Sequence, residues 1–75
     1  HLASEISRRR EHMMRHLYLY EKIRRRHYAD PATLSVRRKG VYLALLSGIG
    51  HGQQFLAWCD EALEVLAGLE TDNTG

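Results

Sequence analysis

The segment GVYLALLSGIGHG, residues 40–52, decides the fold, because its glycines and β-branched residues fit a strand, a chain break or a helix interior. One heptad register runs through the segment and continues on both sides of it. Its members are Leu34, Val41, Leu45, Gly48, Gly52, Phe55, Cys59, Ala62, Leu66 and Leu69, with Arg38 as the one polar exception. Because side chains on a strand repeat every two residues, a strand would not preserve this register. The pattern therefore predicts a helix.

The glycines leave two helical alternatives open. Glycine costs about 1 kcal/mol relative to alanine in a helix interior, so the three glycines of residues 48–52 could end the helix near Ser47. Small residues also recur every four positions, at Gly40, Ala44, Gly48 and Gly52, which would let a second helix approach closely. We therefore expect either one continuous helix over residues 31–69 or a break followed by a third helix.

A first helix is predicted over residues 5–28, which contain neither glycine nor proline. Apolar residues recur there with helical spacing. They are Ile6, Met13, Leu17 and Tyr20. Asp30 then suits a helix N-cap and Pro31 the first helical position, which predicts that the second helix begins at this pair.

The two helices differ in length, and this difference predicts self-association. At 1.5 Å per residue, residues 5–28 span about 36 Å and residues 31–69 about 58 Å. About 22 Å of the second helix would then project beyond the first, with an apolar surface that must be covered. That surface carries Trp58, Leu63, Leu66 and Leu69. We expect an all-α helical hairpin, or three helices if the chain breaks, that forms a dimeric helical bundle.

The predicted dimer seam follows the heptad register of the second helix. Its residues are Phe55, Cys59, Ala62, Leu66 and Leu69. A chain of 75 residues makes a single domain, here residues 1–75, and buries too little surface to be more than marginally stable alone. The lone cysteine cannot form a disulfide within the chain, so association with a second copy is the expected compensation.

The ends of the chain and its cysteine content suggest a location. The first residue is His1 rather than methionine, so residues 1–4 are expected to be a remnant of an expression tag and residues 70–75 a frayed polar tail. The longest apolar run, residues 41–50, is shorter than the roughly 18 residues of a membrane span. With one cysteine and no secretory leader, we expect a cytoplasmic protein with no membrane partner.

Charge divides the chain into two halves of opposite sign. All 11 Lys and Arg residues lie at or before Lys39, together with four acidic residues, which gives 11 minus 4, or +7. From Gly40 onward five acidic residues and no Lys or Arg give −5, and the halves sum to +2. This division is typical of a nucleic-acid-binding face, or of two halves that attract each other when packed.

The arginine triplets of the first helix favour nucleic acid as the alternative partner. Arg8, Arg9, Arg24 and Arg25 are the candidate phosphate contacts, and Tyr18, Tyr20 and Tyr28 could stack on unpaired bases. Glu11 and Glu21 lie four residues before Arg15 and Arg25, a spacing that would neutralise part of the basic field. The alternative function is therefore a dimeric helical protein that binds RNA or DNA through its basic first helix.

Metal and catalytic motifs do not withstand a geometric test. His12 and His16 are spaced to share a metal ion, but no third ligand falls on the same turn. His51 and Cys59 lie about 12 Å apart along one helix, too far for proton transfer. The glycines of residues 48–52 lack the Lys-Ser/Thr of a phosphate-binding loop. We therefore predict no catalytic residues, no metal site, no cofactor and no enzymatic activity.

Aromatic and aliphatic residues outside the main seams predict a protein partner. They are Tyr18, Leu19, Tyr20, Tyr42, Ile49 and Trp58. Tyr, Trp and Arg dominate the energetic hot spots of protein interfaces. The sequence thus favours a small, non-enzymatic regulatory protein that binds another protein through an apolar, Arg-flanked helix surface. An antiactivator that sequesters a bacterial transcription regulator would fit this description.

Overall fold

In the computed structural model, two α-helices form an antiparallel hairpin. They are α1 (Leu2–His27) and α2 (Val36–Thr74), joined by a 3-10 turn at Pro31–Thr33. The structure describes the backbone of residues 1–74 and the side chains of residues 1–69. Within residues 1–74 there is no strand and no third α-helix, because α2 continues through Gly48, Gly50 and Gly52. The predicted all-α hairpin is confirmed.

The start of α2 was predicted five residues too early. Asp30 and Pro31 begin the 3-10 turn, whose geometry is held by Thr33, because its hydroxyl donates to the Asp30 carbonyl at 2.9 Å. Leu34 is then extended, with φ −71° and ψ 148°, which ends the turn. Ser35 caps α2 instead, since its Oγ accepts the backbone N–H of Arg38 at 3.3 Å.

The hairpin core is a single row of side chains between the helices. In the described part of the chain, the buried apolar side chains are Ile6, Leu17, Ile49 and Cys59. Gly52 is buried among them, and a Cβ placed on it would lie 2.7 Å from Leu17 Cδ2 and 3.0 Å from Met13 Sδ. Glycine at this position therefore allows α1 to pack directly against the backbone of α2.

The overhang of α2 is shorter than the roughly 22 Å predicted. Leu17 lies over Gly52, and Arg10 pairs with Asp60, so antiparallel counting brings Leu2 level with residues 67 and 68. Only about 10 Å of helix extends beyond that point to Thr74. The predicted tail, residues 70–75, lies outside the described side chains, and its backbone continues α2 as far as Thr74.

The molecule is a rod with more surface than a compact chain of its size. It measures 60 × 15 × 14 Å, and its radius of gyration is 17.3 Å, against about 11 Å for a compact domain of this length. Its accessible surface is 5989 Å², whereas a folded monomer of 8.7 kDa typically exposes about 4,700 Å². The hairpin therefore exposes about 1,300 Å² more than a compact monomer of its mass.

Hydropathy separates the described helices from membrane-spanning ones. Neither combines the length and the apolar character that crossing a bilayer requires.

Two glycine substitutions test the close approach of the helices. Gly52→Ala would place a methyl group against Leu17 and Met13, and such overpacking typically costs about 1–3 kcal/mol. Gly50→Ala meets nothing within 4 Å and should gain about 1 kcal/mol from helix propensity. Both variants share that propensity gain, so Gly52→Ala should be the less stable by about 1–3 kcal/mol. Urea unfolding followed by circular dichroism at fixed protein concentration measures the difference, and equal stabilities would contradict the packing described.

Candidate protein interaction surface

A stripe of apolar side chains runs along the exposed flank of α2. Its members follow one another at spacings of three, four, three and four residues, the repeat of a coiled-coil seam. They are Phe55, Trp58, Ala62, Val65 and Leu69, here called the α2 stripe. Trp58, Val65 and Leu69 are 54%, 57% and 53% exposed. A helix surface of this pattern and length fits against another helix.

The α2 stripe is exposed because α1 covers the neighbouring row of α2. Cys59 is fully buried under α1, and Trp58, one residue earlier, is rotated by about 100° around the helix. Val65 has the same relation to Leu66, which is partly buried. The second half of α2 thus carries two apolar rows side by side. One row is covered by α1, and the other is the exposed α2 stripe.

The predicted dimer seam is divided between these two rows. Cys59 lies entirely inside the hairpin, which leaves none of its surface for a second chain. Phe55, Ala62 and Leu66 are partly buried, and Leu69 is exposed. Sequence reasoning missed Val65, although its spacing from Ala62 and Leu69 is the signal that would have found it.

The first turns of α1 border the α2 stripe near Phe55 and Trp58. A groove of about 270 Å³ lies between the helices there, lined by residues that include Leu2, Ile6, Phe55 and Trp58. The rings of Phe55 and Trp58 stack with centroids 5.9 Å apart and planes inclined by 23°. This pair holds the Trp58 ring in a defined orientation while one side of it stays open to solvent.

The partner-binding residues predicted from the sequence do not form one patch. Tyr18 and Leu19 are 63% and 53% exposed and line an apolar groove of about 440 Å³ with Met14 and Arg15. Ile49 is only 4% exposed and belongs to the hairpin core, so little of it is left to contact a partner.

The two remaining tyrosines of that set lie elsewhere. Tyr20 is half-buried, and its ring lies over Gly48, 3.7 Å from the position of a Cβ there. Tyr42 is also half-buried and packs against Tyr28 at the end of the hairpin, with ring centroids 5.7 Å apart. The predicted partner-binding residues therefore lie at several separate places on the surface, and Ile49 lies in the core.

The arginines near the start of α1 are engaged by carboxylates. Arg8 and Arg9 both pair with Glu5, and their positive charge, led by the hydrogen bond from Arg9, lowers the pKa of that carboxyl below its usual 4.5. Arg10 Nε donates to Asp60 Oδ1 at 2.6 Å, and this contact raises the pKa of Arg10. The Arg10–Asp60 pair joins the basic half of the chain to the acidic half, as one of the two charge interpretations predicts.

The arginines nearer the end of α1 are paired differently from the prediction. Glu21 lies 3.6 Å from Arg24 rather than pairing with Arg25, and no ion pair within 4.0 Å joins Glu11 to Arg15 in the described part of the chain. The neutralisation expected from helical spacing is therefore only partly present.

His12, His16, His51 and Cys59 are the side chains that the sequence offered for metal binding or nucleophilic chemistry. The rings of His12 and His16 lie 4.4 Å apart, but no cluster of three or more His, Cys, Asp or Glu side chains is found within the described residues. Cys59 is a free, buried thiol, and His51 is exposed to solvent.

Comparison with known proteins gives a family for the chain. Residues 1–67 match the family model described as "Virulence activator alpha C-term". No curated protein and no solved structure matches. The family match covers the whole of α1 and most of α2, including the α2 stripe as far as Val65. It identifies a regulatory domain related to virulence activators, so the chain belongs to the virulence activator alpha C-terminal family.

Proposed function

We propose that this chain is a non-enzymatic self-association domain that pairs two copies of a regulatory protein through the α2 stripe. The observation that supports the proposal most directly is the exposure of Trp58, Val65 and Leu69, at the spacing of a helix-pairing seam, beside the row that α1 covers. Scattered apolar residues are normal on protein surfaces, but a contiguous seam at heptad spacing is typical of helix pairing.

The energetics of the rod favour pairing. A stable interface buries about 800 Å² on each partner, and the hairpin exposes roughly 1,300 Å² more than a compact monomer of its mass. Full burial of one large apolar side chain contributes about 1.5–3 kcal/mol, and the α2 stripe holds three that are more than half exposed. Because the intrachain core is one row wide, this contribution would be large relative to the stability of a single hairpin.

Self-association suits a regulatory domain. Many activators recognise DNA sites of two-fold symmetry, and a symmetric dimer holds two copies at the required spacing. A helical domain that only pairs subunits needs no cofactor and no reaction centre. A reducing cytoplasm fits the free thiol of Cys59, which is buried and unpaired with another cysteine.

Capture of a different regulator is the second candidate function. The apolar groove on α1 that Tyr18 and Leu19 line favours it. Met14, Tyr18 and Leu19 form an apolar surface beside Arg15 on α1. An antiactivator could occupy the dimerisation helix of its target with such an Arg-flanked surface. The two candidates use different side chains, on α1 and on α2, which allows substitutions to separate them.

A matched pair of charge substitutions tests self-association. Val65→Glu places a carboxylate in the α2 stripe, whereas Leu19→Glu makes the same change at a similarly exposed position of α1. We expect Val65→Glu to weaken the dimer at least a hundredfold, since an unpaired buried charge is costly, and Leu19→Glu to leave it unchanged. Sedimentation equilibrium over a range of concentrations measures both dissociation constants.

The opposite pattern would support the second candidate. If Leu19→Glu abolished binding to a regulator while both variants remained the same oligomer as the parent, self-association through the α2 stripe would be wrong.

Trp58 provides a direct readout of burial. It is the single tryptophan of the chain and is 54% exposed in the hairpin. Dimer formation should shift its fluorescence emission to shorter wavelength and protect it from quenching by iodide, because its ring would leave water. Dilution through the dissociation constant should reverse both changes. A spectrum independent of concentration, with the hydrodynamic size changing from dimer to monomer, would exclude Trp58 from the interface.

A further inference from the structure

The two arginine triplets of α1 lie in different electrostatic settings. Arg8, Arg9 and Arg10 are all engaged by carboxylates, as described above. At the other end of α1, Arg24 has one contact with Glu21 at 3.6 Å, and neither Arg25 nor Arg26 forms an ion pair with any described residue. The second triplet therefore retains most of its positive charge for other ligands.

The first turn of α2 adds cations where helix electrostatics disfavour them. Arg37, Arg38 and Lys39 lie at the positive end of the α2 dipole, and no acidic residue occupies that turn. Residues 21–42 carry seven Lys and Arg and two acidic residues, so their net charge is 7 minus 2, or +5. A local rule broken in this way is often a sign of a functional site.

The loop end of the hairpin combines this charge with two aromatic rings. An open cavity of about 570 Å³ lies there, and its lining includes Glu21, Arg24, Arg25, Tyr28 and Tyr42. The Tyr28 and Tyr42 rings are inclined by 31°, and both side chains are half-buried. Arg38 lies over Tyr28, 5.2 Å from the ring centroid, and donates to the carbonyl of His27 at 3.2 Å. These contacts fix the position of the Tyr28 ring.

We propose that this cavity, here called the hairpin-end site, binds nucleotide units: the phosphate contacts Arg24 and Arg25 and the base stacks against Tyr42. Arginine guanidinium groups match phosphate oxygens in geometry and charge. Aromatic side chains beside a basic groove are the common means of binding unpaired bases without sequence preference. The unit can come from a free nucleotide or from a single strand of nucleic acid, and the two sources share this chemistry.

Fluorescence anisotropy with a labelled 12-nucleotide oligothymidylate tests the proposal on the purified protein. With two phosphate contacts, affinity should fall about sevenfold between 50 and 200 mM salt. The double variant Arg24→Ala/Arg25→Ala should weaken binding at least tenfold and reduce the slope against log salt by about 1.4, or 0.7 for each contact. Competition with unlabelled adenosine monophosphate distinguishes the sources: displacement indicates that a free nucleotide suffices, and no displacement indicates a strand.

Matched variants separate a site from general attraction. Arg8→Ala/Arg9→Ala removes the same charge from the other end of α1 and should change affinity by less than about twofold, because those arginines lie far from the hairpin-end site and Glu5 offsets one of their two charges. Tyr42→Leu should weaken binding about tenfold, whereas Tyr42→Phe, which keeps the ring, should not. Circular dichroism of each variant verifies that the hairpin remains folded.

Three results would overturn the proposal. The first is no binding at 50 mM salt. The second is an equal loss in the two double arginine variants, which would indicate diffuse attraction. The third is equal or tighter binding of duplex DNA of the same length, since paired bases cannot stack on Tyr42.

Discussion

The packing of Leu17 and Met13 against Gly52 determines the rest of the structure. It lets α1 lie so close to α2 that the core between them is a single row of side chains. Because α1 lies so close, it covers the row of α2 directly beneath it and leaves the neighbouring row exposed. Cys59 is consequently fully buried, while Trp58, one residue away, is more than half exposed. The same contact that holds the hairpin together thus leaves the α2 stripe open.

This contact also explains which features the sequence could predict. The heptad register correctly favoured a helix, but propensity alone left a break at the glycines open, because the cost of Gly52 is offset only by packing against another helix. The start of α2 was wrong because Ser35 caps the helix after Leu34 becomes extended. Apolar spacing located Phe55 and Leu69, yet it could not show that α1 takes the row containing Cys59, since two apolar rows run side by side.

The arginines at the two ends of α1 differ in how many carboxylates lie near them. The halves do attract each other, through Arg10 and Asp60, although such a partly exposed pair contributes at most about 1 kcal/mol. The acidic residues beyond Gly40 begin only at Asp60, so none of them can reach the cations near the loop. The start of α1 is therefore partly neutralised, by Glu5 within the helix and by Asp60 across the hairpin, whereas its end and the first turn of α2 stay strongly basic.

The two proposed surfaces are far enough apart to act together. Tyr42 and Trp58 are 16 residues apart on α2, or about 24 Å along the helix axis. A second copy on the α2 stripe would bury apolar surface near Trp58 without covering the hairpin-end site, so a dimer would carry two such sites. Hydrophobic pairing is weakly affected by moderate salt, whereas phosphate binding depends on it steeply. Two sites on one dimer would also bind a continuous strand more tightly than either alone, provided that the strand spans the distance between them.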